Sequence, residues 1–206
     1  MGHYKTKLEL EFIYKHLKPG MKILDIGGGS GRFAIPLSNS GHELTLIDIN
    51  EEAVQLAKTR CDKIDYIVGD FLHTNIDRLF DIAIAIEVLV YAEDLSVAFS
   101  KVRDLLVTNG LFIFTAPNRL SWRNAGRRML SRNAHKYTEM SPAEYSRIID
   151  THHFQIESVE GFMWIPCSLS SNSRLVDIFS NLESKFYLNR FLSQSPWLLY
   201  AIRRKQ

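Results

Sequence analysis

The chain has 206 residues, 46% of them hydrophobic and 23% charged, with a formal net charge of +2. This length predicts one domain with a sizeable core, and so small a net charge does not point to a nucleic-acid partner. The two cysteines, Cys61 and Cys167, are too far apart in sequence to predict a disulfide framework or a zinc site. We therefore expect a cytoplasmic protein. No apolar run approaches the roughly 20 residues that span a bilayer.

Predicted helices and short apolar strands alternate through the first half of the chain. Helices are expected at 5–17, 30–40, 51–60 and 95–107, and strands at 22–26, 43–47, 64–68, 80–86 and 111–115. Strands separated by helices are joined by right-handed crossovers, so this pattern predicts a parallel sheet with helices on both faces.

The second half is less regular. A polar, arginine-rich stretch covers 118–136. Ser141, Pro142 and Glu144 then predict the start of a helix, because they combine an N-cap serine, a proline at the first position and a glutamate at the third. A strand at 154–164, an amphipathic helical insertion at 169–192 and a closing strand at 197–204 complete the prediction.

An acid or a glycine turn follows each of the first four predicted strands. The turn after strand one reads Asp25-Ile26-Gly27-Gly28-Gly29-Ser30-Gly31. Asp48 follows strand two, where one carboxylate can bind two ribose hydroxyls. Asp70 and Phe71 follow strand three and suit an exocyclic amine and a purine face, and Glu87 follows strand four. A single acid of this kind is more often a solvated loop residue. Four on successive strand ends favour a ligand site, because ligands bind at that edge of a parallel sheet.

These segments resemble the motifs of class I S-adenosylmethionine-dependent methyltransferases, in the ubiquinone-methylase-like branch that acts on small molecules. The matching segments, in order across 20–118, are ILDIGGGSGRFAIPLSNSG, LIDIN, YIVGDF, FDIAIAIEVLVYAEDL and LLVTNGLFIFTAPN. The resemblance implies an α/β fold with a doubly wound, mostly parallel seven-stranded sheet, a Rossmann-like methyltransferase fold. Within one domain, 1–206, we expect an N-terminal helix (1–19), a cofactor-binding core (20–118) and a substrate-side segment with closing strands (119–206).

The resemblance also implies which residues contact S-adenosylmethionine. The loop residues would lie under its methionine part. Asp48 would bind the ribose hydroxyls, with Ile49 packed on the adenine. Asp70 would contact the adenine amine with Phe71 beside the ring, and the residues after strand four would lie near the methionine end. The full set is Asp25, Gly27, Gly29, Asp48, Ile49, Asp70, Phe71, Glu87 and Val88.

A catalytic base is needed only if the methyl acceptor must lose a proton. The candidates here are His135, Tyr137 and Tyr91, with His152 and His153 better suited to a structural role at a helix end. Similar enzymes often carry a glutamate-histidine pair shortly after the strand-four glutamate. This chain has Val90-Tyr91 there, so the base function of that histidine does not carry over to this chain.

Three arginines, Arg119, Arg123 and Arg127, have the spacing that stacks side chains on one helix face. They can bind a phosphate, a carboxylate or a lipid phosphate, although a solvated face is the simpler alternative. The aromatic C-terminal segment can cap a pocket, form a homodimer or make peripheral membrane contact. The sequence is compatible with both a monomer and a homodimer. No histidine-carboxylate cluster predicts a metal site.

Two other functions fit parts of the sequence. Gly29-Ser30-Gly31-Arg32-Phe33-Ala34 matches the fingerprint of NAD(P)-dependent oxidoreductases. A dinucleotide bound at this fingerprint would place its pyrophosphate beside Asp25, and it would leave Asp70 and Glu87 without a role. The second alternative is a catalytically inactive methyltransferase fold that serves as a binding module, against which the intact acidic positions argue.

Overall fold

The computed structural model describes residues 2–92, 94–130, 138–164 and 188–206. The helices are α1 (Gly2–Tyr14), α2 (Ala34–Asn39), α3 (Glu51–Arg60), α4 (Leu95–Leu105), α5 (Trp122–Leu130) and α6 (Pro142–Thr151). The strands are β1 (Lys22–Ile26), β2 (Glu43–Asp48), β3 (Asp65–Val68), β4 (Phe80–Ala85), β5 (Leu106–Pro117), β6 (Phe154–Phe162) and β7 (Trp197–Arg204). Short 3-10 turns occur at Leu89–Tyr91 and Leu188–Arg190.

Seven strands form one sheet in the order β3-β2-β1-β4-β5-β7-β6. The first five strands pair in parallel, and β7 runs antiparallel between β5 and β6. The strand order reverses between β1 and β4, so the connections after these two strands leave in opposite directions and open a crevice at their carboxyl ends. The predicted fold and the closing strand at 197–204 are thus confirmed.

The core lies on both faces of this sheet. One face carries the ring cluster of Phe99, Phe112, Phe114 and Phe154, all fully buried. The opposite face packs residues of α1, α2 and α3 against β1 and β2, with Phe12 and Ile13 of α1 buried. Burial on both sides explains why the central strands read as continuous apolar runs in the sequence.

Several predicted boundaries are wrong. The N-terminal helix covers Gly2–Tyr14 rather than 5–17. The helix expected at 30–40 contains only Ala34–Asn39, because the chain before it stays in a turn in which Gly31 has a φ of +82° and donates its N–H to the Gly28 carbonyl. Strand β5 begins at Leu106 rather than at 111, since Leu106 already pairs with Phe80 before an irregularity in the register.

The helix start at Ser141 is as predicted. The Ser141 hydroxyl accepts a hydrogen bond from the Glu144 N–H, and the Glu144 carboxylate accepts one from the Ser141 N–H, which is a complete capping box. Most of the helical insertion expected at 169–192 lies outside the described residues. Among the helices that are described, none is long and apolar enough to cross a membrane.

Candidate cofactor site at the carboxyl edge of the sheet

A tight glycine loop follows β1. The N–H groups of Gly27 and Gly28 both donate to the Ile47 carbonyl, at 2.7 and 3.3 Å. Gly27 has a φ of +66°, and a Cβ on it would lie only 2.3 Å from Cγ2 of Val88. Only glycine combines this left-handed backbone with so close a contact. The loop is therefore held between β2 and the segment after β4.

Asp25 supports this loop from beneath. It is buried, and its carboxylate accepts a hydrogen bond of 3.1 Å from the N–H of Ala34 at the start of α2. Burial raises the pKa of Asp25 to about 7, although the Ala34 bond and the charge of Arg32 oppose the rise. A Cβ on Gly28 would lie 2.7 Å from the Asp25 carboxylate. Asp25 thus shapes the loop and is not open to solvent.

Asp48 ends β2 and faces the same loop. Its two carboxylate oxygens accept hydrogen bonds from the N–H groups of Gly29 and Asn50, both at 2.8 Å. The side chain remains partly exposed, and the next residue, Ile49, is 73% exposed. An oriented carboxylate and an open apolar surface therefore lie side by side.

Asp70 and Phe71 follow β3 on the neighbouring strand. The Asp70 carboxylate accepts a hydrogen bond from the Leu72 N–H and one from the His73 ring, at 2.8 and 2.7 Å. The His73 bond and then the Leu72 bond lower the pKa of Asp70, so this carboxylate is ionised at neutral pH. Phe71 is partly buried against the core, with the Lys101 ammonium 5.3 Å from its ring.

Glu87 follows β4 and belongs to a cluster of four charged residues. Its φ is +64°, and its N–H donates to Oγ1 of Thr115 at 2.7 Å. Its carboxylate accepts hydrogen bonds from the Lys5 ammonium and from the Arg32 guanidinium. Burial alone would raise the pKa of Glu87, but Lys5 and Arg32 outweigh burial and lower it. Glu87 is therefore an ionised carboxylate between two cations.

Sequence reasoning missed the other three residues of this charged cluster, Lys5, Glu9 and Arg32. Lys5 and Glu9 lie on the predicted N-terminal helix, and both are buried although their side chains are charged. A signal was present, because Glu9 lies three and four residues before Phe12 and Ile13 and therefore on the apolar face of α1. A carboxylate on such a face usually has a partner in the interior.

The candidate bases divide into three groups. Tyr91 lies in the 3-10 turn after β4, at the carboxyl edge of the sheet, and is 68% exposed. His135 and Tyr137 lie outside the described residues. His152 ends α6 just before β6 begins, and its Nδ1 lies 3.2 Å from the Ser100 hydroxyl. Because β6 runs parallel to β5, its start lies at the opposite edge, which supports a structural role for His152.

The expectation of three arginines on one helix face is wrong for Arg119. The hydroxyl of Ser121 accepts the N–H of Asn124 and starts α5 at Trp122, so Arg119 precedes the helix. Arg119 instead donates to both carboxylate oxygens of Glu144, at 2.8 and 2.9 Å. Arg123 donates to the Met163 carbonyl at 2.6 Å. The side chain of Arg127 lies outside the described part of the chain.

Comparisons with known proteins agree with this architecture. Residues 17–179 match a family described as a methyltransferase domain. The chain is 26% identical over 162 residues to a ubiquinone biosynthesis O-methyltransferase of Bradyrhizobium diazoefficiens, covering 71% of this chain and 63% of that relative.

Two solved structures share the fold across nearly the whole chain. An S-adenosylmethionine-dependent methyltransferase of Mesorhizobium loti superposes with a TM-score of 0.72 at 22% identity, covering 95% of this chain and 97% of that one. Magnesium protoporphyrin IX methyltransferase of Synechocystis, solved with bound S-adenosylhomocysteine, gives 0.69 at 16% identity and covers 99% and 84%. The family match decides against the oxidoreductase alternative, and the chain belongs to the class I S-adenosylmethionine-dependent methyltransferases.

Proposed function

We propose that this protein transfers a methyl group from S-adenosylmethionine to an oxygen atom of a small, anionic or lipid-linked acceptor. The observation that carries this proposal is the row of ionised or oriented carboxylates at the carboxyl ends of three parallel strands, where Asp48 ends β2, Asp70 follows β3 and Glu87 follows β4. Several matching relatives are named as ubiquinone biosynthesis O-methyltransferases, which supports oxygen as the acceptor atom.

The residues at this edge fit S-adenosylmethionine. Asp48 would bind the ribose hydroxyls, because its carboxylate is oriented by two backbone N–H groups and still partly exposed. Ile49 and Phe71 would contact the adenine ring, and ionised Asp70 would accept from its amine. The remaining positions of the proposed set, Asp25, Gly27, Gly29 and Val88, would shape the loop beneath the methionine part.

The charged cluster fits the amino-acid end of the cofactor. That end carries one carboxylate and one ammonium group. Arg32 and Glu87 are both partly exposed and present one charge of each sign, and Lys5 adds a second cation behind them. We propose that Lys5 and Arg32 bind the carboxylate and that Glu87 binds the ammonium, since charge-assisted hydrogen bonds are the stronger kind.

S-adenosylmethionine supplies a methyl group on a positively charged sulfur. The acceptor oxygen bonds to this carbon as the carbon–sulfur bond breaks, and the oxygen's proton passes to a base or to water. The protein's contribution is alignment of the two reactants and exclusion of water. Tyr91, His135 and Tyr137 are the residues that we propose as bases.

Replacing Arg32 by alanine tests the placement of the amino-acid end. We expect S-adenosylhomocysteine to bind at least about tenfold more weakly, because a charged hydrogen bond contributes roughly 1.5–3 kcal/mol. Binding of 5′-methylthioadenosine, which lacks the amino-acid end, should stay nearly unchanged. Arg78→Ala is the matched control, since Arg78 pairs with Asp65 and Thr45 on neighbouring strands away from the loop. Equal losses for both ligands would contradict this placement.

The acceptor is tested by screening labelled methyl transfer to phosphorylated, carboxylated, lipid-linked and neutral hydroxyl compounds. With an anionic acceptor, Arg123→Ala combined with Arg127→Ala should raise its Michaelis constant and leave cofactor affinity unchanged. Added salt should weaken acceptor binding more in the parent than in the double variant, because exposed ion pairs are screened. If the acceptor is neutral and the double variant turns it over normally, Arg123 and Arg127 do not bind the acceptor. Binding of S-adenosylmethionine without transfer to any compound would favour the inactive binding module.

A further inference from the structure

Helix α1 carries a buried carboxylate, that of Glu9. Glu9 is 0% exposed, and within the described part of the chain neither of its carboxylate oxygens accepts a hydrogen bond. The nearest cations are the Lys5 ammonium at 3.9 Å and the Arg32 guanidinium at 3.8 Å. Both cations give their short hydrogen bonds to Glu87 instead. Glu9 therefore lies behind the proposed site of the cofactor's carboxylate and shares both of its cations.

Such a carboxylate is costly to keep ionised, because a buried charge without hydrogen bonds loses its hydration. Burial raises the pKa of Glu9 to about 7, while Lys5 and then Arg32 lower it and Glu87 raises it. Glu9 is thus present in both its neutral and its ionised form near neutral pH. A small change in the surrounding charge is enough to shift the balance between them.

Among the residues that the structure describes, the charged groups that face Glu9 come from three segments. Lys5 lies on its own helix, Arg32 in the loop after β1, and Glu87 after β4. On the side of β6 and β7, the rings of Phe162 and Trp197 lie 5.8 and 4.6 Å from the Lys5 ammonium and carry no charge. Asp25 is a second buried acid that interacts with Arg32, and its pKa is also raised to about 7. A test must therefore separate Glu9 from Asp25.

We infer that Glu9 takes up a proton when the carboxylate end of the cofactor binds to Lys5 and Arg32, which couples cofactor affinity to pH. This inference rests on the proposed placement of that end. A bound carboxylate weakens the hold of both cations on Glu9, and the ligand also excludes water, so both effects favour the neutral acid. Below about pH 7 Glu9 already carries the proton. Above it the proton must come from solvent, and cofactor affinity falls.

Titration calorimetry of S-adenosylhomocysteine at about pH 7, in two buffers with different ionisation enthalpies, counts the protons exchanged on binding. We expect the parent to take up more protons than Glu9→Gln, which resembles the neutral acid. The ligand's own amino group and Asp25 are common to both proteins, so the difference isolates Glu9. Glu11→Gln is the matched control, because Glu11 lies on the same helix but is exposed and pairs with Lys7. It should behave as the parent does.

The affinities give a second measurement. Near pH 6 the parent and Glu9→Gln should bind S-adenosylhomocysteine about equally. Near pH 8.5 the parent should bind more weakly, by about tenfold if binding raises the pKa of Glu9 by one unit. Equal proton uptake in the two proteins, or parallel affinity curves, would overturn the inference.

A measurement on the parent alone keeps the inference testable if Glu9→Gln does not fold. More protons should be taken up when S-adenosylhomocysteine binds than when 5′-methylthioadenosine binds, because the latter brings no carboxylate. Equal proton uptake for the two ligands would overturn the inference. Failure of the proposed placement gives a different result. In that case Arg32→Ala weakens the binding of both ligands equally, regardless of how many protons are taken up on binding.

Discussion

Replacing Asp48 by alanine is expected to weaken binding of S-adenosylmethionine and S-adenosylhomocysteine by at least about tenfold while the fold survives. The carboxylate that we assign to the ribose hydroxyls is lost, and each charged hydrogen bond contributes roughly 1.5–3 kcal/mol. The Gly29 N–H also loses its 2.8 Å acceptor, so the glycine loop becomes less well ordered. Calorimetry measures the affinity, and thermal unfolding measures the stability.

Glu43→Ala is the matched control for Asp48→Ala. Glu43 is an exposed acid at the other end of the same strand, where its backbone N–H bonds to the Met21 carbonyl. The control should bind the cofactor as the parent does. A folded Asp48→Ala protein with unchanged affinity would mean that the ribose binds elsewhere.

Gly27→Ala is expected to destabilise the protein by more than about 2 kcal/mol and to weaken cofactor binding more than tenfold. A left-handed backbone alone costs a non-glycine residue roughly 1–2 kcal/mol. The added Cβ would also stand 2.3 Å from Cγ2 of Val88, so the loop or the segment after β4 must move. Both consequences are measurable, by chemical denaturation and by calorimetry.

Gly41 separates these two causes, because it has a φ of +90° and a Cβ added to it would meet no heavy atom within 4 Å. Gly41→Ala should therefore show the backbone cost alone, and cofactor affinity should not change. Combining Gly27→Ala with Val88→Ala should recover part of the lost stability. Equal destabilisation by Gly27→Ala and Gly41→Ala would show that the contact with Val88 is unimportant.

The sheet and the edge that carries the site could be predicted because their signals are local. A glycine turn after β1 and the acids Asp48, Asp70 and Glu87 are visible at the ends of apolar runs. Once the strands are parallel, these residues must lie at one edge. The capping box at Ser141 is equally local, and its prediction is confirmed.

Contacts between distant segments could not be predicted in the same way. Lys5 meets Glu87 across 82 positions of the chain, and no spacing rule links them. The helical position expected for Arg119 is wrong because Ser121 starts α5 two residues later, and the bond from Arg119 to Glu144 joins two elements that sequence alone does not bring together. The start of β5 at Leu106 could likewise not be predicted, because the register between β4 and β5 is irregular there.

The most direct test of the account is a crystal structure of the protein with S-adenosylhomocysteine. We expect the ribose hydroxyls at the Asp48 carboxylate, the adenine between Ile49 and Phe71, and the amino-acid end at the cluster of Lys5, Arg32 and Glu87. Density for the ligand at another edge of the sheet, or with its amino-acid end pointing away from Arg32, would contradict it.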